Sequence, residues 1–342
     1  MNDYRKLGRI TLFSITLLSL AACGGPSSQE REVVIYTSLD QRYSEPILRA
    51  YEETTGVATK VVYDTEATKT TGLVNRLLAE RSAPRADVFW NSEIVRTIAL
   101  KRAGVLAPYR SPSATDIPEI FKDPEGYWTG FAARVRVIAV NPELVPEDDW
   151  PRSFDDLTRP EWKGRFAMAY PLFGTTSTHV AALFAARGPE RAKQFLKALV
   201  DNGAQVVDGN STARDRVVAG SVPVAMTDSD DVAVARERGE SITMIFPDAE
   251  GAGTIVIPNT VALVAGGPDS NEGKALIDYL LSAEVEEALA AAGGAQIPLR
   301  DSLAWPAGLP PRETLRAMEI DFEEVASRLD EAVAFCRDLF VR

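Results

Sequence analysis

The chain predicts an α/β protein of two lobes, and three observations carry that reading. Apolar strand patterns alternate with amphipathic helix patterns from Val33 to Arg102, and the same alternation starts afresh near Arg134. A length of 342 residues with 45% hydrophobic content also suits two cores better than one. Strand, helix, strand at these intervals means parallel sheets joined by right-handed crossovers.

In the first block Val33–Tyr36 reads as a buried strand. After Thr37-Ser38 comes a helix carrying Ile47, Leu48 and Tyr51 at helical spacing and closed by Gly56. Val57–Tyr63 alternates as a second strand, and Thr70–Arg81 reads as a helix with Leu73, Leu77 and Leu78 on one face. Ala86–Trp90 is a third strand, followed by the helix Ile94–Arg102. Ligands of such sheets bind beyond the carboxyl ends of the strands. Thr37-Ser38, Thr65-Glu66 and Asn91-Ser92-Glu93 are therefore expected to face one crevice.

The second block opens with the strand Val135–Val140, a turn-rich connection, and the strand Phe166–Ala169 running into Gly174-Thr175-Thr176-Ser177-Thr178. Helices 178–187 and 189–202, strand 205–207, helix 211–219, strand 222–226, helix 231–238 and strand 243–246 follow. Thr254–Ile257 and Val261–Val264 read as strands that carry the chain back, with Pro258-Asn259 as a hinge between them. The expected organisation is lobe 1 over 33–133, lobe 2 over 134–257, a return to lobe 1 over 258–300 and a C-terminal helical segment over 301–342.

The amino-terminal residues read as an export signal. Arg5, Lys6 and Arg9 precede the apolar run Ile10–Leu20, which is too short to span a bilayer and ends in small residues. Leu20-Ala21-Ala22-Cys23 resembles the bacterial lipobox, which implies removal of residues 1–22 and lipidation of Cys23. Residues 23–32 then form a flexible tether rich in Gly, Pro, Ser and Gln. The mature protein is expected in the periplasm or at the cell surface, monomeric and held to a bacterial membrane by lipid.

Loss of residues 1–22 removes Asp3 and three basic residues, taking the formal charge from −12 to −14. So acidic a chain lacks the basic patch that nucleic-acid binding needs. Cys336 is the only thiol left once Cys23 is acylated, so no intramolecular disulfide can form, and its apolar helical stripe marks it as an inert core residue. His179 is the only histidine, which excludes paired-histidine metal sites and suggests a satisfied histidine at a helix start. The five tryptophans are scattered and read as packing, although Trp90 lies at a crevice-facing strand end. There is no Ser/His/Asp order, Walker loop or nucleophile elbow.

The order of motifs resembles the periplasmic ferric-ion-binding proteins, two-lobed receptors that feed ABC importers. The likeness rests on Val33-Val34-Ile35-Tyr36-Thr37-Ser38, Tyr51–Val57, Ala86–Trp90, Arg134–Val137, Trp162-Lys163-Gly164-Arg165, Asp208-Gly209-Asn210-Ser211, Pro258–Leu263 and Ile297-Pro298-Leu299-Arg300. It implies the type II periplasmic-binding-protein fold: each lobe a mixed, mostly parallel sheet flanked by helices, with the ligand in the interlobe cleft. It also implies an ABC permease and ATPase as partners, and no catalysis.

The resemblance places metal ligands and an anion site, and the sequence departs from the first. Where iron-binding members carry adjacent tyrosines, this chain reads Thr227-Asp228-Ser229-Asp230-Asp231. The other ligand places hold Asp40 and either Ser92 or Glu93. The carboxylates Asp40, Glu93, Asp230 and Asp231 suit a hard cation, and with Asp228 they equally suit an organic ammonium; Asp228 or Asp230 also suits a helix cap. The anion site maps to Gly174, Thr175 and Asn210. The Gly174–Thr178 turn makes physical sense as a cradle, because free N–H groups, a helix dipole and hydroxyls such as Thr176 favour an oxyanion, though an N-cap is the plainer role. Arg134 and Arg136 alternate on a strand, so one is expected to neutralise an oxyanion and the other to be solvated. The ligand is therefore expected to bear an oxyanion, as a phosphonate or organic phosphate. Ferric iron with a synergistic anion, Fe³⁺ then being cargo rather than cofactor, and a metal-dependent phosphoesterase are the alternatives.

Overall fold

The computed structural model describes residues 31–64 and 70–340. The expected signal segment, Cys23 and Thr65-Glu66 lie outside the described residues. Among the described residues no helix is long and apolar enough to cross a membrane.

The first block folds as expected, with small shifts of boundary. Strands β1 (Glu32–Thr37), β2 (Ala58–Tyr63) and β3 (Val88–Asn91) pair in parallel in the order β2-β1-β3. Their crossovers contain helices α1 (Gln41–Thr55) and α2 (Thr71–Ala79), and α3 (Val95–Arg102) follows β3. Helix α1 buries Tyr43, Ile47, Leu48 and Tyr51 at i, i+4, i+5 and i+8 spacing and stops at Gly56, whose φ of 69° suits a residue without Cβ. The two-residue strand β4 (Leu106–Ala107) completes this part.

The second block contains strands β6 (Phe166–Ala169), β7 (Gln205–Val207), β8 (Val224–Asp228) and β9 (Thr243–Ile245). Its helices are α4 (Gly174–Arg187), α5 (Pro189–Asp201), α6 (Asn210–Val218) and α7 (Ser229–Glu237). Here β7, β6 and β8 are parallel neighbours.

Two long strands link the blocks, and the sequence reading divided both. The strand expected at Val135–Val140 is β5 (Thr129–Val140), all twelve residues of it buried. The two return strands are a single strand, β10 (Val256–Val264), with a register shift between Pro258 and Asn259 where a hinge was expected. The expected boundaries at 133/134 and 257/258 thus fall within strands. Gly130 and the positive-φ residue Ala132 interrupt the local pattern that marks a strand, yet ladder bonds to β10 hold this stretch extended.

The first half of β5 pairs antiparallel with β10, which pairs in turn with β3 and β4; from Arg136 onward β5 pairs with β8 and β9. The sheet order is therefore β2-β1-β3-β10-β5-β8-β6-β7. Strand β5 thus exchanges its partner β10 for β8 at Val135/Arg136.

Helices α8 (Ser270–Leu280) and α9 (Ala283–Ala291) follow β10, and α10 (Phe322–Phe340) is the helical part of the C-terminal segment. Helix α10 packs on α4 and α5 of the second block and on α3 of the first. Its face of Val325, Leu329, Ala332 and Cys336 is buried, and burial pushes the Cys336 thiol up to about 12, as suits an inert core position.

Candidate functional site

Antiparallel pairing sets Arg136 of β5 directly opposite Asp228 of β8, so their side chains share a face. Residues two apart on a strand also share a face, and this overturns the expectation that one of Arg134 and Arg136 is solvated. Both are buried, Arg136 completely. Arg136 Nη1 donates to Asp228 Oδ1 at 2.6 Å and to Asn210 Oδ1 at 3.1 Å, while Arg134 Nη1 lies 3.4 Å from Asp230 Oδ2.

Helix α4 begins four residues earlier than expected, at Gly174, so the hydroxyl cluster lies in its first turn. These hydroxyls are engaged within the chain. Thr175 Oγ1 donates to Asp228 Oδ2, Thr176 Oγ1 donates to Asn210 Oδ1 at 3.1 Å, Ser177 Oγ donates to the Gly174 carbonyl and Thr178 Oγ1 donates to Glu93 Oε2 at 3.0 Å. Asn210, the first residue of α6, completes the group by donating from Nδ2 to Asp228 Oδ2 at 2.9 Å. Asp228 stands at the N-cap position of α7, but its carboxylate makes no capping bond and turns instead to Arg136, Thr175 and Asn210. For Asp228 the helix-cap alternative is thereby excluded.

Nine of the residues singled out from sequence line one cavity of about 90 Å³: Asp40, Ser92, Arg134, Gly174, Thr175, Asn210, Asp228, Asp230 and Asp231. Ser211 joins them. That volume has room for several waters, and hence for a ligand of few heavy atoms. One oxygen each from Asp228, Asp230 and Asp231 lies within 4.8 Å of the others. A larger hollow of about 670 Å³ beside Trp150 and Trp162 contains none of the residues singled out for binding and carries surface ion pairs such as Arg159–Asp156.

The remaining candidates hold the wall in place. Ser38 Oγ donates to Asn91 Oδ1 at 2.7 Å and accepts from the Ser92 amide at 2.8 Å, fixing the ends of β1 and β3 side by side. Thr37 Oγ1 accepts from the Leu39 amide. Glu93 does not line the cavity. Its carboxylate accepts from the amides of Val95 at 2.7 Å and Arg96 at 3.0 Å, which satisfies the start of α3, and from Thr178 across the cleft. Trp90 belongs to the core, with its ring 5.5 Å from that of Phe131. His179 is not the satisfied residue expected: it is buried beside Phe154 with no hydrogen-bond partner for Nε2. Burial first, and the nearby charges of Arg136 and Arg187, hold it well below the usual histidine range.

Four carboxylates, Asp40, Asp228, Asp230 and Asp231, face two guanidiniums, so the site carries two more negative charges than positive. Burial alone would lower the pKa of Arg134, but Asp230, Asp228, Asp40 and Asp231 outweigh it and hold the guanidinium charged. Sequence reasoning missed Tyr43. Its buried phenol lies in the field of Asp230, Asp40 and Asp231, and burial followed by that field pushes its pKa upward. Its position three residues after Asp40, at the start of a helix, was the available signal.

The sequence profile described as bacterial extracellular solute-binding protein matches residues 95–323, about two thirds of the chain. The chain belongs to that family. Members deliver ligand to an ABC-transporter permease and ATPase, and they are binding proteins rather than enzymes. The Fe(3+)-binding periplasmic protein of Serratia marcescens is 25% identical over 327 residues, covering 94% of this chain and 95% of the relative. A putative 2-aminoethylphosphonate-binding periplasmic protein of Salmonella typhimurium is also 25% identical, over 338 residues, covering 95% and 91%. Iron-bound HitA from Pseudomonas aeruginosa superposes with a TM-score of 0.81 at 25% identity, covering 90% of this chain and 99% of that one. The expected two-lobed fold is confirmed by this likeness.

Proposed function

We propose that this extracellular solute-binding protein captures a compact ligand bearing both a cationic group and an oxyanion, of the aminoalkylphosphonate type. The carrying observation is a single cavity lined by the carboxylates of Asp40, Asp228, Asp230 and Asp231 together with the guanidinium of Arg134. The carboxylates of Asp40, Asp230 and Asp231 receive the ammonium, and the guanidinium receives the phosphonate by charge-assisted hydrogen bonds. The name of the Salmonella relative supports this ligand class. The receptor works as a monomer, held to the membrane through a lipid on Cys23, and hands its ligand to an ABC permease without chemical change.

The test is thermal denaturation with 2-aminoethylphosphonate, ethylphosphonate or ferric citrate. A ligand that binds only the folded state raises its melting temperature by mass action, so 2-aminoethylphosphonate should stabilise the protein saturably and ethylphosphonate, lacking the ammonium, should not. Equal effects of the two phosphonates, or none, would refute the reading. Turnover of a phosphoester in the presence of Mg²⁺ would refute the absence of catalysis.

One observation favours ferric ion as a second reading: the close oxygens of Asp228, Asp230 and Asp231 are hard donors of the kind such a cation takes. Without a tyrosine pair, ferric citrate should not turn the protein red-brown. If colour does develop and is lost in Tyr43→Phe, the ferric reading replaces the phosphonate one.

A further inference from the structure

Arg136 has no exposed surface and carries a charge that water cannot reach. A buried guanidinium persists only with a fixed counter-charge, and the β5–β8 register supplies one in Asp228. Both carboxylate oxygens are used: Oδ1 accepts from Arg136, and Oδ2 accepts from Thr175 and Asn210. A guanidinium, a hydroxyl at a helix start and a side-chain amide converging on two oxygens form the cradle of an oxyanion site, here filled by a carboxylate of the chain itself. We infer that Asp228 is a permanent internal anion, so that ligand capture requires no small external oxyanion at this cradle.

The inference rests on the reading of this cleft as the ligand site and adds a specificity to it. Arg136 does not line the cavity, whereas Arg134 does, held there by Asp230 Oδ2 at 3.4 Å and by donation from Nη2 to Asn259 Oδ1 at 3.1 Å. The negative group of a ligand is therefore received by Arg134, and Arg136, although its Nε and Nη2 have no partner, offers formate, bicarbonate or phosphate no exposed surface.

The test is chemical rescue, read on folding stability without any ligand. Asp228→Gly removes the carboxylate and leaves a space of its shape. The variant should melt at a lower temperature than the wild type and regain stability saturably with sodium formate or acetate, but not with sodium chloride at equal ionic strength. Wild-type stability should show no saturable response to formate or bicarbonate. A folded Asp228→Gly protein that ignores formate overturns the inference. If the variant does not fold with or without formate, the wild type decides alone: saturable stabilisation by formate or bicarbonate overturns the inference, and indifference supports it. Rescue by formate together with indifference to 2-aminoethylphosphonate would sink the ligand assignment while leaving the internal anion standing.

Discussion

Glu286→Ala is expected to cost about 3 kcal/mol of stability, the low end of the range for breaking a buried ion pair. Glu286 is fully buried in α9. Its Oε1 accepts from the amides of Ala132 at 2.8 Å and Leu299 at 2.9 Å, and its Oε2 accepts from Arg300 Nη1 at 2.6 Å. Losing the pair costs about 3–5 kcal/mol, and each orphaned amide adds about 1–3 kcal/mol if water cannot reach it. Two features hold the sum at the low end. Arg300 keeps Asp116 at 2.8 Å and the carbonyls of Ser113 and Leu281, so its charge is not stranded. The deleted side chain also leaves room for a water that can serve the two amides. Replacing both members, Glu286→Leu with Arg300→Met, should recover part of the loss and not all, because Ala132 and Leu299 remain without an acceptor. Urea unfolding followed by tryptophan fluorescence measures both variants. A loss below about 1 kcal/mol for Glu286→Ala, or full recovery in the double variant, would refute the reasoning.

Thr178→Val removes the bond across the cleft to Glu93, worth about 1 kcal/mol, and should shift the lobes apart, seen as a larger radius of gyration by X-ray scattering. Asp230→Asn with Asp231→Asn should abolish the melting-temperature shift given by 2-aminoethylphosphonate, because the amides keep the shape and lose the charge; an unchanged shift would remove these residues from the site. His179 stays neutral in the folded protein below the pH at which it protonates when unfolded. Its burial therefore costs stability as pH falls below about 6.5, by up to about 1.4 kcal/mol per unit. Asp248, raised to about 6 chiefly by burial, acts in the opposite sense as pH falls from about 6 toward 4, so the histidine contribution is read as the difference between wild type and His179→Phe. Cys23→Ser should abolish incorporation of labelled palmitate, and incorporation at the wild-type level would sink the lipid assignment.

The alternation of strands and helices was legible because each crossover carries its own apolar period and its own stop, such as Gly56 after α1. The length of β5 was not. Gly130 and the two arginines break the apolar run, and only pairing with β10 and β8 makes that stretch a strand. The acids and hydroxyls of the cleft could be located because they follow strand ends or open helices. Their mutual bonding could not, for the meeting of Asp228 with Arg136 depends on a register between strands separated by most of lobe 2. Tyr43 and Glu93 show the same limit in opposite directions: one gained a place beside the carboxylates through the turn of α1, and the other was drawn away to serve the amides of α3.

Helix α10 sets the mechanics of opening. Toward lobe 2 its seam is apolar, Val325, Leu329, Ala332 and Cys336 being buried in a shared core with Phe335 packed against Phe184 at 6.2 Å. Toward lobe 1 its end adds ion pairs from Glu323 to Arg102 at 2.7 Å and Lys101 at 3.9 Å, beside a ring contact between Phe322 and Phe121, and one ion pair, Glu331 to Lys193 at 3.0 Å, also faces lobe 2. Apolar packing resists sliding, whereas half-exposed ion pairs re-form with new partners at little cost. The helix is therefore expected to stay with lobe 2 if the cleft opens, with the Glu323 seam yielding first. Salt screens those exposed pairs, so the radius of gyration measured by X-ray scattering is expected to rise with ionic strength before the cores unfold.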